Sequence, residues 1–255
     1  MEREGAVSEL RLYVHPTCYS SYTLLKYLAS KGLMGSTRLV SLTEPWEAVS
    51  SGIVSVPWLS LNGEPAAADP VRGEEVEAII RGANISPPRD PLKAYMDSVL
   101  ASSYASSLAL LHGSLEPAAF TSLAKAALRY PLTRLDPGPL LEAVKSEGRS
   151  LYESFEARIA RVVAVSYVRE LYWASGGLLR PGDLRVDRLS VAAWLMAKAS
   201  VGRAGLPSNP VRANWDGIEV VVGIVEGRGD SILEDVRREQ ATIYGDLEYL
   251  KLLGL

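Results

Sequence analysis

The sequence predicts an α/β domain followed by an all-helical one, and three observations carry that reading. Residues 10–82 alternate strand-like runs with helical periods in the order β-α-β-α-β-β-α. The stretch Ala83-Asn84-Ile85-Ser86-Pro87-Pro88-Arg89-Asp90-Pro91 is rich in proline and has no apolar period, so 83–90 reads as a linker. From 91 to 255 the apolar residues recur at helical spacing.

Leu10-Arg11-Leu12-Tyr13-Val14 is a short apolar strand, broken by His15-Pro16-Thr17. Cys18 opens a helix in which Leu24, Leu25 and Leu28 share a face, and Lys31-Gly32 is an ordinary stop. Residues 37–42 alternate as a second strand, and Glu44-Pro45-Trp46 starts a short helix. Residues 55–61 form a strand opened by a proline, and Asn62-Gly63 turns it into the returning strand 64–68. Asp69-Pro70 reads as the cap and first position of a helix that stops at Arg81-Gly82.

Beyond the linker, helices are expected over 91–112, from Glu116-Pro117 to Tyr130, over 140–145 with Gly148 as its stop, and over 150–174. Leu189, Ala192, Ala193, Met196 and Ala199 mark a well-buried helix. Val220–Val225 fits a strand or a helix and is taken as helix; Ile232, Val236, Ile243, Leu247 and Leu250 mark a last amphipathic one.

The 255 residues carry a net charge of −3, so no global basic field points to nucleic acid or to an anionic membrane. No apolar run reaches the roughly 20 residues that span a bilayer. Met1–Gly5 lacks a signal-peptide core, and a cytoplasmic location is expected. A single cysteine excludes an internal disulfide and a cysteine-based metal cage, and no metal site is expected. Glutamine occurs once, a scarcity of amides that a heat-adapted source or GC-rich coding would leave.

Cys18 is therefore the residue of interest. A thiol in the first turn of a helix faces unpaired N–H groups and the positive end of the helix dipole, which favour the thiolate. The alternative is an inert buried thiol. His15 is either a proton acceptor or positive neighbour for it, or an exposed loop residue. Ser21 can donate to the sulfur or within the helix turn.

The element order, Cys18-Tyr19-Ser20-Ser21 as a Cys-x-x-Ser motif, and Val56-Pro57 before the hairpin resemble the glutaredoxin branch of the thioredoxin fold. With the helical half added, and Asp187–Leu195 resembling a buried helix of its second domain, the layout is similar to glutathione S-transferases. Ser or Thr usually stands three residues before that Asp to complete a capping box; here Leu184 does.

The resemblance implies a thioredoxin-like domain over 10–82 and a transferase-like helical domain over 91–255. It implies a cis Pro57 beside Cys18, with Val56 offering its backbone to a glutathione peptide. Cys18 and Ser21 would be the catalytic pair. Tyr19, Val56, Pro57 and Asp69 would contact the thiol substrate, Asp69 holding its free amine unless it serves only as a helix cap. Ala67-Ala68 stands where glutaredoxins have Gly-Gly, and Tyr19-Ser20 where cluster-bridging monothiol glutaredoxins have Gly-Phe. The expected function is thiol transfer or glutathione conjugation, with glutathione or another small thiol as co-substrate, a small thiol or thiol-bearing protein as partner, and a homodimer as the assembly. The alternative is a non-catalytic binding or assembly protein on the same scaffold.

Overall fold

The computed structural model describes residues 9–43, 51–200 and 213–255. Strands β1 (Leu10–Val14), β2 (Arg38–Ser41), β3 (Trp58–Leu61) and β4 (Glu64–Ala68) form one mixed sheet in the order β2-β1-β3-β4. β1 runs parallel to β2, with Tyr13 opposite Val40, and antiparallel to β3, with Leu12 opposite Leu59. β3 and β4 are antiparallel across the Asn62-Gly63 turn. The parallel pair needs a crossover, which α1 (Tyr19–Ser30) and a 3-10 turn (Met34–Ser36) provide. The helix expected from Glu44 lies outside the described residues.

The period of two along β1 sorts its side chains onto two faces. Leu10, Leu12 and Val14 pack with Leu25 and Leu28 of α1 and Val76 of α2 (Gly73–Ile80). The opposite face, with Trp58, Ala68 and the partly buried Tyr13, enters the core of the helical region. One sheet thus serves two cores, and the proline-rich linker does not separate them.

The helical region holds α3 (Pro91–Ala101), α4 (Ser103–His112), a 3-10 turn (Glu116–Ala118), α5 (Thr121–Leu128), α6 (Tyr130–Thr133) and α7 (Gly138–Ser146). The long α8 (Gly148–Ala174), α9 (Arg188–Ser200), the longer α10 (Trp215–Gly245) and α11 (Leu247–Leu252) follow. Ile243 and Tyr249, near the end of the chain, return to the core beneath α1. Among the described residues no helix is long and apolar enough to cross a membrane.

Several expected elements differ, each for a local reason. The 91–112 helix divides at Ser102, whose backbone is extended (ψ 106°); its hydroxyl donates to the Val54 carbonyl and accepts from the Ala105 amide at 3.1 Å, capping α4. Glu116-Pro117 opens only a 3-10 turn, because Ala119 at ψ 61° leaves helical geometry. Gly148 starts a helix rather than ending one. A Cβ there would lie 2.8 Å from Ser114 Oγ and 2.9 Å from the Glu116 amide, so only glycine allows the approach. Val220–Val225 is helical and continues through Ile232, Val236 and Ile243 as one 31-residue helix, which ends at Gly245; Leu247 and Leu250 fall in the separate α11, capped by Asp246.

α9 is amphipathic rather than buried all round. Trp194 packs edge-on to Tyr167 with ring centroids 5.4 Å apart, which sets the rotation that leaves Leu189 66% and Met196 52% exposed. Asp69-Pro70 does not start α2. That peptide bond is cis, Arg72 is the extended N-cap, and the helix begins at Gly73. Gly73 sits so close to α1 that a Cβ would meet the Tyr27 ring at 2.4 Å.

Candidate thiol site

β1 ends at Val14 and the chain turns through His15-Pro16-Thr17, closed by the Cys18 amide donating to the His15 carbonyl at 3.0 Å. Cys18 is the N-cap of α1, with extended backbone (φ −84°, ψ 119°) and no cap hydrogen bond from its side chain. Its thiol instead donates to the Val56 carbonyl at 3.4 Å. The Val56–Pro57 bond is cis, and the Pro57 carbonyl accepts from the Asp69 amide at 3.0 Å, carrying the β3–β4 pairing past the proline. Cys18, Val56, Pro57 and Asp69 therefore stand around one end of the sheet.

Ser21 is fully buried. Its hydroxyl oxygen accepts from the His15 amide at 3.4 Å and the hydroxyl also bonds the Cys18 sulfur. Ser20 bridges the other side, its hydroxyl bonding the Asp69 carboxylate, which also accepts from the Val71 amide. Tyr19 does not join this cluster: it is 40% exposed and stacks on Tyr22 at 5.8 Å.

Burial dominates the titration of the site. It pushes the Cys18 thiol up, and the Asp69 charge adds to this; the Ser21 hydroxyl and the Ser20 and Ser21 amides oppose it without overcoming it. The resting group is a protonated thiol, consistent with its donation to Val56. Helix position alone suggests the reverse, and the difference is desolvation. Burial also raises Asp69, to about 6, against the Ser20 and Val71 hydrogen bonds. Burial lowers His15, whose Nδ1 accepts from the Thr17 amide at 3.3 Å. The neutral ring then carries its proton on Nε2, so His15 is neither a positive neighbour nor an exposed loop residue.

A cavity of about 300 Å³ opens beside Asp69, between α1 and the start of α2, and is lined by Ser20, Thr23, Tyr27, Asp69, Arg72 and Glu74. It offers a carboxylate and a guanidinium, the pair a zwitterionic amino-acid group needs. Among the described residues no cluster of three or more His, Cys, Asp or Glu could hold a metal ion.

The Cys18 turn is also held from far along the chain. The Tyr249 hydroxyl donates to the Pro16 carbonyl at 3.2 Å, and Gln240 Nε2 donates to the Thr17 carbonyl at 2.9 Å. Gln240 Oε1 accepts from Trp173 Nε1 at 3.3 Å. Sequence reasoning did not single these out. The available signal was that Gln240 is the lone glutamine of the chain. No protein-family model matches the chain, and no curated protein or solved structure matches it either.

Proposed function

We propose that this chain is a thiol enzyme of the glutathione S-transferase or monothiol glutaredoxin kind. In this reading a thioredoxin-like domain carries Cys18 and a transferase-like helical domain braces it. The observation that carries the reading is the Cys18 thiol at the N-cap of α1, 3.4 Å from the carbonyl of a cis Val56–Pro57 unit.

The half-buried, protonated thiol makes the site dependent on its ligand. The Asp69 charge raises Cys18. A glutathione-like ligand whose ammonium sits against Asp69 would offset that charge and bring the thiol part of the way back toward ionisation, burial being the larger cause of its rise. The Cys18 thiolate then attacks the glutathione sulfur of a mixed disulfide, forming a Cys18–glutathione disulfide as the partner's thiolate leaves and takes a proton. A second glutathione thiolate attacks that bond, restoring Cys18 and leaving glutathione disulfide. Ser21 cannot form a disulfide, so it serves as a hydrogen-bond donor to the sulfur. In the same reading the chain works in the reducing cytoplasm, as a homodimer, with a small thiol or thiol-bearing protein as its partner.

A second reading, a non-catalytic binding or assembly protein, is favoured by the same burial, because a protonated thiol is a poor nucleophile. Alkylation of Cys18 by iodoacetamide across pH, with and without S-methylglutathione, separates the two. The enzymatic reading expects a midpoint above the free value of about 8.5 in the protein alone, falling when the ligand binds. A midpoint and rate untouched by millimolar ligand would leave the scaffold reading.

A further inference from the structure

The turn that presents Cys18 has two carbonyls, on Pro16 and Thr17, that no backbone amide among the described residues takes up. Both are satisfied by side chains more than 200 residues away. Gln240 lies on α10 and is 1% exposed. Its amide is used at both ends: Nε2 reaches the Thr17 carbonyl at 2.9 Å and Oε1 takes the Trp173 indole N–H at 3.3 Å. Since Trp173 can only donate, it fixes which way round the amide sits and turns its N–H toward Thr17. Neighbouring contacts bring α10 and α11 onto α1 without touching the turn: Asp246 accepts from the Tyr22 hydroxyl at 3.1 Å and pairs with Lys26 at 2.9 Å. Gln240 is the point at which the helical region reaches the residue just before the thiol.

We propose that Gln240 is a positioning residue for Cys18, oriented by Trp173, that holds the thiol turn closed against the Val56 carbonyl. The proposal rests on the reading of Cys18 as the working thiol. It makes the helical region part of the site, because the amide that fixes the turn comes from α10 and the indole that orients it from α8. The ionisable groups facing the thiol are Asp69 at the end of β4 and Tyr249 from α11, with the neutral His15 in the turn itself. None of them is a hydrogen-bond partner of Gln240 among the described residues, so its removal leaves the charges around Cys18 in place and alters how far the thiol is packed away from water.

The test uses the full chain and iodoacetamide as the probe. Gln240→Met keeps the length of the side chain and removes both hydrogen bonds. The loosened turn should admit water to the thiol, lower the midpoint of the alkylation profile by roughly half to one pH unit, and raise the rate at pH 8 on the order of threefold to tenfold. Trp173→Phe, at a partly exposed position, removes the donor that orients the amide and shrinks the ring that lies 6.4 Å from His15, while leaving Gln240 itself in place, and should give an intermediate profile. A folded Gln240→Met protein with the wild-type midpoint and rate, even if less heat-stable, would reduce Gln240 to a packing residue and overturn the proposal. If Gln240→Met does not fold, a wild-type profile in Trp173→Phe overturns it instead. Should S-methylglutathione leave the wild type unchanged while Gln240→Met still alkylates faster, the enzymatic reading fails and the clamp stands. With a wild type that responds to the ligand and an unmoved Gln240→Met profile, the clamp fails and the enzymatic reading stands.

Discussion

Helix α9 starts on Asp187, whose carboxylate accepts from the Leu189 and Ser190 amides at 2.8 and 3.1 Å. Ser190 Oγ in turn accepts from the Asp187 amide at 3.2 Å, so the two residues satisfy one another. Helix α1 starts on Cys18, which accepts no cap hydrogen bond and points its thiol back at Val56. One start is complete within four consecutive residues. The other has no side-chain cap and takes its fixing contacts from Gln240 and Tyr249, far along the chain. The site differs in charge as well. Hydrogen bonds from Ser190 and Leu189 hold Asp187 below its ordinary value, whereas burial holds Cys18 and Asp69 above theirs. A start that only begins a helix can be built locally. One that presents a reactive atom gives up local capping and is stabilised by tertiary contacts.

The largest effect that would sharpen this contrast is at Asp69. Its carboxyl titrates at about 6 in the folded chain against an ordinary 3.8. The folded state therefore holds this proton more tightly than the unfolded one. The resulting stability is fully present below about pH 4 and is lost as pH rises through about 6. At 1.36 kcal/mol per unit the swing is on the order of 2–4 kcal/mol. Asp69→Asn has no charge to bury, so its stability relative to wild type should climb across that window, and Cys18 should alkylate faster once the neighbouring charge is gone. Denaturant melts at pH 4, 5, 6 and 7 measure the first effect. A constant difference between the two proteins would mean that the half-buried carboxyl does not tune this helix start.

Ser21→Ala comes next. It empties a fully buried side-chain position and takes the acceptor from the part-buried His15 amide, at a cost of roughly 1–3 kcal/mol. It also removes a donor that lowers Cys18, so the alkylation midpoint should move further up. A stability loss with no change in the midpoint would assign Ser21 to the turn alone and not to the sulfur.

What the sequence makes legible divides along the same line. The succession of strands and the hairpin at Asn62-Gly63 were readable, because short-range periodicity and turn chemistry specify them, whereas the place of Val56-Pro57 beside Cys18 was implied only by the resemblance. The start of α2 was not: Asp69-Pro70 carries a local cap signal that tertiary structure overrides, through the close approach of Gly73 to Tyr27 and the use of the Asp69 carboxylate by Ser20. Nor was the state of the thiol, since helix position favours ionisation and only the packed structure shows the opposing burial. Gln240, Trp173 and Tyr249 reach the Cys18 turn across sequence separations that no local pattern encodes. The Asp187 cap was legible but sought on the wrong side: the absent hydroxyl at Leu184 does not matter, because Ser190 completes the box from within the helix.

The smallest expected effect completes the contrast from the side of α9. Asp187→Ala removes the acceptor for two amides at an exposed helix start, and Ser190 alone cannot replace it. The melting midpoint should fall by a few degrees at neutral pH. Asp187 sits below its ordinary value, so its contribution is present above the unfolded carboxylate range and is lost as pH falls through the folded one. The gap between the two proteins should therefore close in acid, the reverse of the trend at Asp69. Asp187→Asn, which keeps an acceptor oxygen, should recover most of the loss. Alkylation of Cys18 should be unchanged in both variants, because no contact among the described residues runs from this cap to the thiol turn. An altered Cys18 profile in Asp187→Ala would couple the two helix starts and undo the division between a locally built start and one held from across the fold.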